Sequence, residues 1–116
     1  MINIQKPSPC VDCSKQPSHK DCGVARALKI IGSKWTMLIL HNLFSGPKRF
    51  GELQKTLESI SPKTLSQRLQ ELEQERIINR RVFAEIPLHV EYSLTKKGQS
   101  LEKIFDNMSE WGTSSY

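Results

Sequence analysis

A mainly α fold with one small β-hairpin, of the α+β kind, is predicted by three features of this 116-residue chain. A helix with its start written into the sequence opens at Ser61, in SPKTLSQRLQELEQE; a short helix ends just before it; and two strand-like runs follow it, on either side of Pro87-Leu88-His89. Two short helices joined by a brief turn form a helix-turn-helix, and a hairpin directly behind the second helix is a wing. The expected architecture is a winged helix-turn-helix, arranged as a homodimer.

The helix at Ser61–Glu75 carries the most local information. Ser61 is an N-cap residue type, and Pro62 suits the first helical position, where its missing N–H costs nothing. Ile60 before the cap and Leu65 after it can form a hydrophobic staple. Leu65, Leu69 and Leu72 make a narrow apolar stripe at i, i+4 and i+7. Lys63, Thr64, Gln67 and Arg68 lie off that stripe and can donate hydrogen bonds to phosphates or base edges. Glu71, Glu73 and Glu75 are all in the second half, so the helix is basic in front and acidic behind. Its first two turns are suited to meet a polyanion.

The other elements are assigned around it. Asp21 can cap a first helix whose buried stripe would be Val24, Ala27, Leu28 and Ile31, broken by Gly32-Ser33. Lys34–Ser45 is apolar almost all round and reads as a central core helix, with Trp35 as a core residue. His41 on this segment reads as a core or surface residue. Gly46-Pro47 is a turn, and Arg49–Leu57 a short helix with Phe50, Leu53 and Leu57 inward and Lys48 and Arg49 at its start. Ile77–Ile86 is rich in β-branched residues, and Val90, Tyr92 and Leu94 alternate with Glu91 and Ser93 as in a half-buried strand. Arg80, Arg81 and His89 lie on or beside this hairpin, although successive residues face opposite sides. One of the two arginines can pair with Glu85 or Glu91. Thr95 caps a last helix whose stripe is Leu101, Ile104, Phe105, Met108 and Trp111. That is more apolar surface than a small three-helix core can cover, which points to a second copy of the chain.

Composition sets the outer limits. Charged residues are 25% and hydrophobic ones 37%, as in soluble globular proteins, and the length fits one domain with an appendage. The net charge of +5 and pI near 9.3 lean toward an anionic partner. No apolar run approaches a membrane span, and MINIQKPSPC has no signal-peptide core, so the expected location is the cytoplasm. Residues 1–20 read as a loosely ordered arm, 21–111 as the winged domain with dimerisation helices at both ends, and 112–116 as a short tail. The arm carries Cys10-x2-Cys13, and His19 and Cys22 follow. This is a four-ligand set of the kind zinc prefers, but the spacing is shorter than in common zinc modules. The expected reading is therefore unpaired thiols in a flexible arm, with no metal or cofactor, and a zinc site is the alternative. No paired carboxylates, Ser/His/Asp set or phosphate loop points to an enzyme.

The runs CGVARALKIIGSKWTMLIL, GPKRFGEL, ISPKTLSQRLQELE and IPLHVEYSLTKKG together resemble the HxlR-type winged helix-turn-helix regulators, relatives of the MarR group. The resemblance covers about residues 22–111. It implies a homodimeric bacterial transcription regulator that binds a palindromic operator in double-stranded DNA. The helix at Ser61–Glu75 would enter the major groove and helices from both ends of the domain would build the dimer interface. Two departures stand out. The family usually has Cys-Pro where this chain has Cys22-Gly23. At the wing it often has Pro-Pro-Arg-Val-Glu-Tyr where this chain has Pro87-Leu88-His89-Val90-Glu91-Tyr92, so His89 replaces a permanent charge. Several members sense oxidants or electrophiles through the cysteine aligned with Cys22. Here a helix N-terminus with Lys20 and Arg26 nearby would favour its thiolate, while Asp21 would oppose it.

The expected DNA contacts are therefore Ser61, Lys63, Thr64, Gln67 and Arg68 from the helix, with Lys48, Arg49, Arg81 and His89 around it. The expected dimer interface is Val24, Leu28, Leu101, Ile104, Phe105, Met108 and Trp111. Two other functions remain open: a winged-helix protein-interaction module, and a zinc-dependent regulator using Cys10, Cys13, His19 and Cys22.

Overall fold

The computed structural model describes residues 23–115. The chain divides into two compact units, Met1–Ser33 and Lys34–Tyr116. The described part of the first is α1 (Gly23–Ile31), which ends where the Gly32 N–H donates to the Leu28 carbonyl at 2.8 Å. Of the stripe expected to be buried, only Ile31 is; Val24, Ala27 and Leu28 are exposed. A helical stripe shows that a face is apolar, not that the same chain covers it. Asp21, the expected cap, lies outside the described residues.

The second unit runs α2 (Lys34–Leu43), β1 (Lys48–Arg49), α3 (Phe50–Thr56), α4 (Pro62–Gln74), β2 (Ile78–Phe83), β3 (His89–Leu94), α5 (Lys96–Gln99) and α6 (Glu102–Ser115). Its core is the meeting of three helices over a sheet. Ile39, Leu40 and Leu43 of α2, Leu53 of α3 and Leu65, Leu69 and Leu72 of α4 are buried together with Ile77, Ile78 and Tyr92. α2 is indeed central, but its apolar residues are not all enclosed: Trp35, Met37 and Leu38 are half-buried and His41 is exposed. It stops at Leu43, two residues short of the expected end. Phe44 and Ser45 enter a turn in which Gly46 adopts φ 135°, a conformation that side chains rarely tolerate.

That turn delivers an element the sequence did not disclose. Lys48 and Arg49 form β1, pairing antiparallel with β3 at Lys48↔Tyr92 and Arg49↔Glu91, so the sheet has three strands in the order β1-β3-β2. The expected helix at Arg49 accordingly begins at Phe50. β2 and β3 pair from Ile78↔Leu94 to Phe83↔His89, which leaves a loop at 84–88. β2 is thus shorter than its apolar run, since Ile77 precedes it and Ala84–Ile86 belong to the loop, while β3 is one residue longer than expected and opens at His89. The single terminal helix that was expected is two segments, α5 and α6, which meet at Ser100–Leu101.

The end of α4 is fastened by this returning chain. Arg76 adopts φ 62°; its N–H donates to Glu73 O at 3.0 Å, and the Ile77 N–H to Leu72 O at 2.9 Å. This is a Schellman motif with Leu72 and Ile77 as its apolar pair, built without the usual glycine. Thr95, the N-cap of α5, donates from its hydroxyl to Arg76 O at 2.6 Å and accepts from the Gly98 N–H at 3.1 Å. Lys97 Nζ donates to Glu75 O at 3.1 Å, placing a cation at the negative end of the α4 dipole. Gly98 admits the close approach, since a Cβ there would collide with Ile77 O.

α6 has two apolar edges. Leu101 and Phe105 are half-buried, and the Phe105 ring meets Phe44 edge-on at 5.1 Å. Ile104, Met108 and Trp111, spaced i, i+4 and i+7, are exposed. No described helix is long and apolar enough to cross a membrane.

Candidate nucleic-acid interface

α4 begins as its residues dictate. Ser61 is in extended backbone and its Oγ accepts the Thr64 N–H at 3.1 Å, with Pro62 at the first helical position. Leu65, Leu69 and Leu72 turn into the core, which leaves Lys63, Ser66 and Gln67 exposed at the front of the helix. Thr64 Oγ1 accepts from Ser61 Oγ at 2.9 Å, so Thr64 is part of the cap and keeps its own hydroxyl hydrogen for a partner. Arg68 is held differently. Its Nη1 lies 2.9 Å from Glu71 Oε1, its side chain is 31% exposed, and its buried Nε has no partner among the described residues.

The turn ahead of α4 is pinned by a side chain. Gln54 Nε2 of α3 donates to Ile60 O at 3.0 Å, while Leu57 O accepts the Ile60 N–H at 2.9 Å. Ile60 and Leu65, the expected staple, are both buried. At the front of α3, Glu52 Oε1 accepts the Arg49 N–H at 2.8 Å, leaving the exposed Arg49 side chain out of the cap.

The sheet arranges the remaining cations. Arg49 of β1, Glu91 of β3 and Arg81 of β2 are in register across it, so they share one face. Lys48, Tyr92 and Arg80 form the neighbouring row on the other face. The expectation that Arg80 and Arg81 face opposite ways is met. Neither makes an ion pair with Glu85 or Glu91 among the described residues. Arg81 instead lies over the Phe83 ring, with Cζ 4.9 Å from its centroid. Phe83 stacks on His89 at 4.7 Å with an interplanar angle of 12°. His89 Nδ1 is 3.9 Å from Glu85 Oε1 and 3.5 Å from Pro87 O, and its side chain is 15% exposed. Beyond this stack the loop at 84–88 carries exposed Ile86 and Leu88 around Pro87, whose preceding peptide is cis.

A capped, cationic helix front behind a pinned turn, followed by a hairpin, is the arrangement on which the sequence comparisons converge. Residues 30–116 match the HxlR-like helix-turn-helix family model. The chain belongs to that family of transcriptional regulators.

Among its relatives, the HTH-type transcriptional regulator YodB of Bacillus subtilis (strain 168) is 46% identical over 85 residues, 73% of this chain and 76% of YodB. A crystal structure of a MarR-family protein from Porphyromonas gingivalis W83 superposes with a TM-score of 0.81 at 31% identity, covering 88% of this chain and 100% of that one. The redox regulator HypR in its oxidized form superposes at 0.75 with 41% identity, covering 80% and 96%. YodB has been solved reduced, at 0.70 with 44% identity and 78% and 89% coverage, and also diamide-treated and quinone-bound.

In this HxlR-type chain Lys63, Thr64, Gln67 and Arg68 share the first two turns of α4 behind the Ser61 cap, and Lys48, Arg49, Arg81 and His89 belong to the adjoining sheet. Cys22, Cys10, Cys13 and His19 lie outside the described residues. Several contributors were not foreseen. Gln54 and Lys97 act on backbone carbonyls, for which no sequence pattern of their own exists. Glu71 is in sequence one of three acids at the back of the helix, and only the folded helix shows that it holds Arg68. Phe83 could have been found, because a hairpin register that pairs it with His89 brings the two rings together.

Proposed function

We propose that this chain acts as a homodimer on a palindromic stretch of double-stranded DNA, with the front of α4 reading the major groove of each half-site. One observation carries the reading. The first two turns of α4, through Arg68, hold an exposed lysine, an exposed glutamine and no acid, while Glu71 and Glu73 follow only behind them. Lys63 and Gln67 reach base edges, each good bidentate contact being worth about 1–3 kcal/mol of discrimination. Ser61 and Thr64 sit at the positive end of the α4 dipole, where a phosphate is favoured, and offer hydroxyls to it. Arg68 adds a contact once it exchanges Glu71 for DNA. Lys48, Arg49 and Arg81 hold phosphates beside the groove, and His89 belongs to the wing that lies along it. The exposed stripe Ile104, Met108 and Trp111 on α6 is one apolar surface for pairing two copies, and Val24 and Leu28 on α1 are another. Such a regulator works where the DNA is, in a bacterial cytoplasm.

Replacing Lys63 and Gln67 together by alanine tests the assignment. The variant keeps its fold and oligomeric state but loses its preference among duplexes selected from a random pool. Unchanged preference removes α4 from the reading. Binding that is absent in wild type, or insensitive to salt, favours the protein-interaction module instead.

A second reading is supported by the relatives HypR and YodB, of which one is named a redox regulator and the other has been solved with diamide and with a quinone. Cys22 is the responsive thiol, with Cys10 or Cys13 as a resolving partner; two thiols lose two protons and two electrons to diamide and join as a disulfide. Cys22→Ser then abolishes the effect of diamide on DNA binding. A wild-type protein that ignores diamide leaves Cys22 with no such role, and one that copurifies with stoichiometric zinc turns the same residues into a metal site.

A further inference from the structure

We propose that the wing of this chain enters the DNA minor groove with an apolar tip, Ile86 and Leu88, rather than with a cation. The inference rests on the DNA-reading function proposed above and extends it to how the flanking sequence is recognised. Ile86 is 101% exposed and Leu88 67% exposed, at the apex of the loop between β2 and β3. Two large aliphatic side chains held in water at the end of a ribbon gain free energy wherever they become covered. His89, the nearest basic side chain in the loop sequence, is withdrawn from the apex. Its ring lies flat against Phe83 at 4.7 Å, with Nδ1 3.5 Å from Pro87 O. Arg81 is drawn onto the other ring contact of Phe83, at 4.9 Å. The three side chains form a stacked post behind the tip, and what projects past it is hydrocarbon.

Double-stranded DNA is the occupant that the surroundings favour. The strand leading to the tip carries Arg80 and Arg81, and β1 in the same sheet carries Lys48 and Arg49; with Glu91 lying between Arg49 and Arg81, the flanks of the wing keep a net positive charge while its end is apolar. The single acid of the loop, Glu85, lies 3.9 Å from His89 Nδ1. Cationic flanks that follow phosphates around an apolar tip form the pattern by which proteins press Ile, Leu or Pro against base steps from the minor groove. The groove there presents only sugar walls and a degenerate base pattern, so such a tip selects for an A·T-rich flank with easily unstacked TA steps instead of reading individual bases.

The test uses the full chain and duplexes that the wild-type protein recovers from a random-sequence pool. The double substitution Ile86→Ala with Leu88→Ala, at side chains so exposed that the fold is unaffected, is expected to weaken binding about tenfold. Its salt dependence should stay at the wild-type slope, whereas Arg81→Ala should lower the slope by about one. Replacing flanking A·T pairs by G·C should weaken wild-type binding, and replacing them by inosine·C, which keeps the A·T-like minor groove, should not. Wild-type affinity in the double variant, while Lys63→Ala with Gln67→Ala destroys preference, overturns the wing inference and leaves the reading helix standing. Loss of preference in neither variant removes both. A double variant that turns monomeric on a sizing column without DNA shows that the tip covers a second copy, and likewise overturns the inference.

Discussion

The Thr95 hydroxyl donates to the Arg76 carbonyl at 2.6 Å, bridging nineteen positions of sequence from the end of the wing back to the end of α4. Lys97 adds a donor to Glu75 O, one of the carbonyls that the helix terminus leaves open, while Thr95 holds the left-handed residue just past it. The end of α4 and the chain that returns from the hairpin are therefore held together by Thr95, with Lys97 beside it. Thr95→Val keeps the shape and removes the hydroxyl, which both donates to Arg76 and caps α5. We expect a loss of about 1–2 kcal/mol, read as a lower denaturant midpoint, with Thr95→Ser near wild type. A valine variant of unchanged stability would mean that water replaces the hydroxyl.

Arg76 occupies left-handed backbone at the one position where the Schellman motif favours glycine. Its side chain is exposed. Arg76→Gly should stabilise the domain by about 1 kcal/mol, because the left-handed conformation costs a non-glycine residue roughly that much. Thermal unfolding measures it, and a lower melting temperature would show that the arginine side chain contributes a compensating contact.

Gln54 holds the turn of the helix-turn-helix through Ile60 O. Gln54→Leu, close in volume, leaves that part-buried carbonyl without its donor. The expected cost is about 1 kcal/mol in stability, accompanied by faster amide exchange at the first turn of α4. Exchange confined to other elements would contradict the role given to Gln54.

Glu71 tethers Arg68 at 2.9 Å on a partly exposed surface. Such pairs contribute little to folding, so Glu71→Ala should change stability by less than about 1 kcal/mol. DNA binding should respond more. A freed guanidinium strengthens contact with any duplex and steepens the salt dependence, so affinity for unselected DNA should rise while the ratio of selected to unselected binding falls. If both affinities stay the same, Arg68 does not touch DNA.

The two edges of α6 should separate experimentally. Met108→Glu with Ile104→Glu places charge on the exposed edge and should yield folded monomers on a sizing column. Phe105→Ala removes the ring that meets Phe44 and should instead lower stability by about 2 kcal/mol while keeping the oligomer. A dimer that survives both glutamates would move the interface elsewhere.

Much of the α4 region was legible in the chain because its signals are local. Ser61 and Pro62 act on backbone within one turn, and Leu65, Leu69 and Leu72 repeat at the helical period, so cap, start and buried face all follow from neighbours in sequence. The hairpin was legible for the same reason, through the alternation around Tyr92. β1 was not. A two-residue strand has no period to read, and Lys48-Arg49 becomes one only because β3 presents an edge to it. The exposure of Val24 and Leu28 was equally hidden, since an apolar stripe looks alike whether its own chain covers it or not.

The sequence by itself determined the helix-turn-helix, the family and the basic front of α4, all of which depend on residue types at short spacing. The folded structure decided which polar side chains remain available. Arg68 is engaged by Glu71, Arg81 by Phe83 and His89 by the same ring, while Lys63, Gln67 and Arg49 stay in the open. The Phe83–His89 stack depends on strand register across two elements. Arg68–Glu71 and Arg81–Phe83 are short-range pairs within one helix and one strand, fixed as contacts only once the neighbouring packing selects their rotamers.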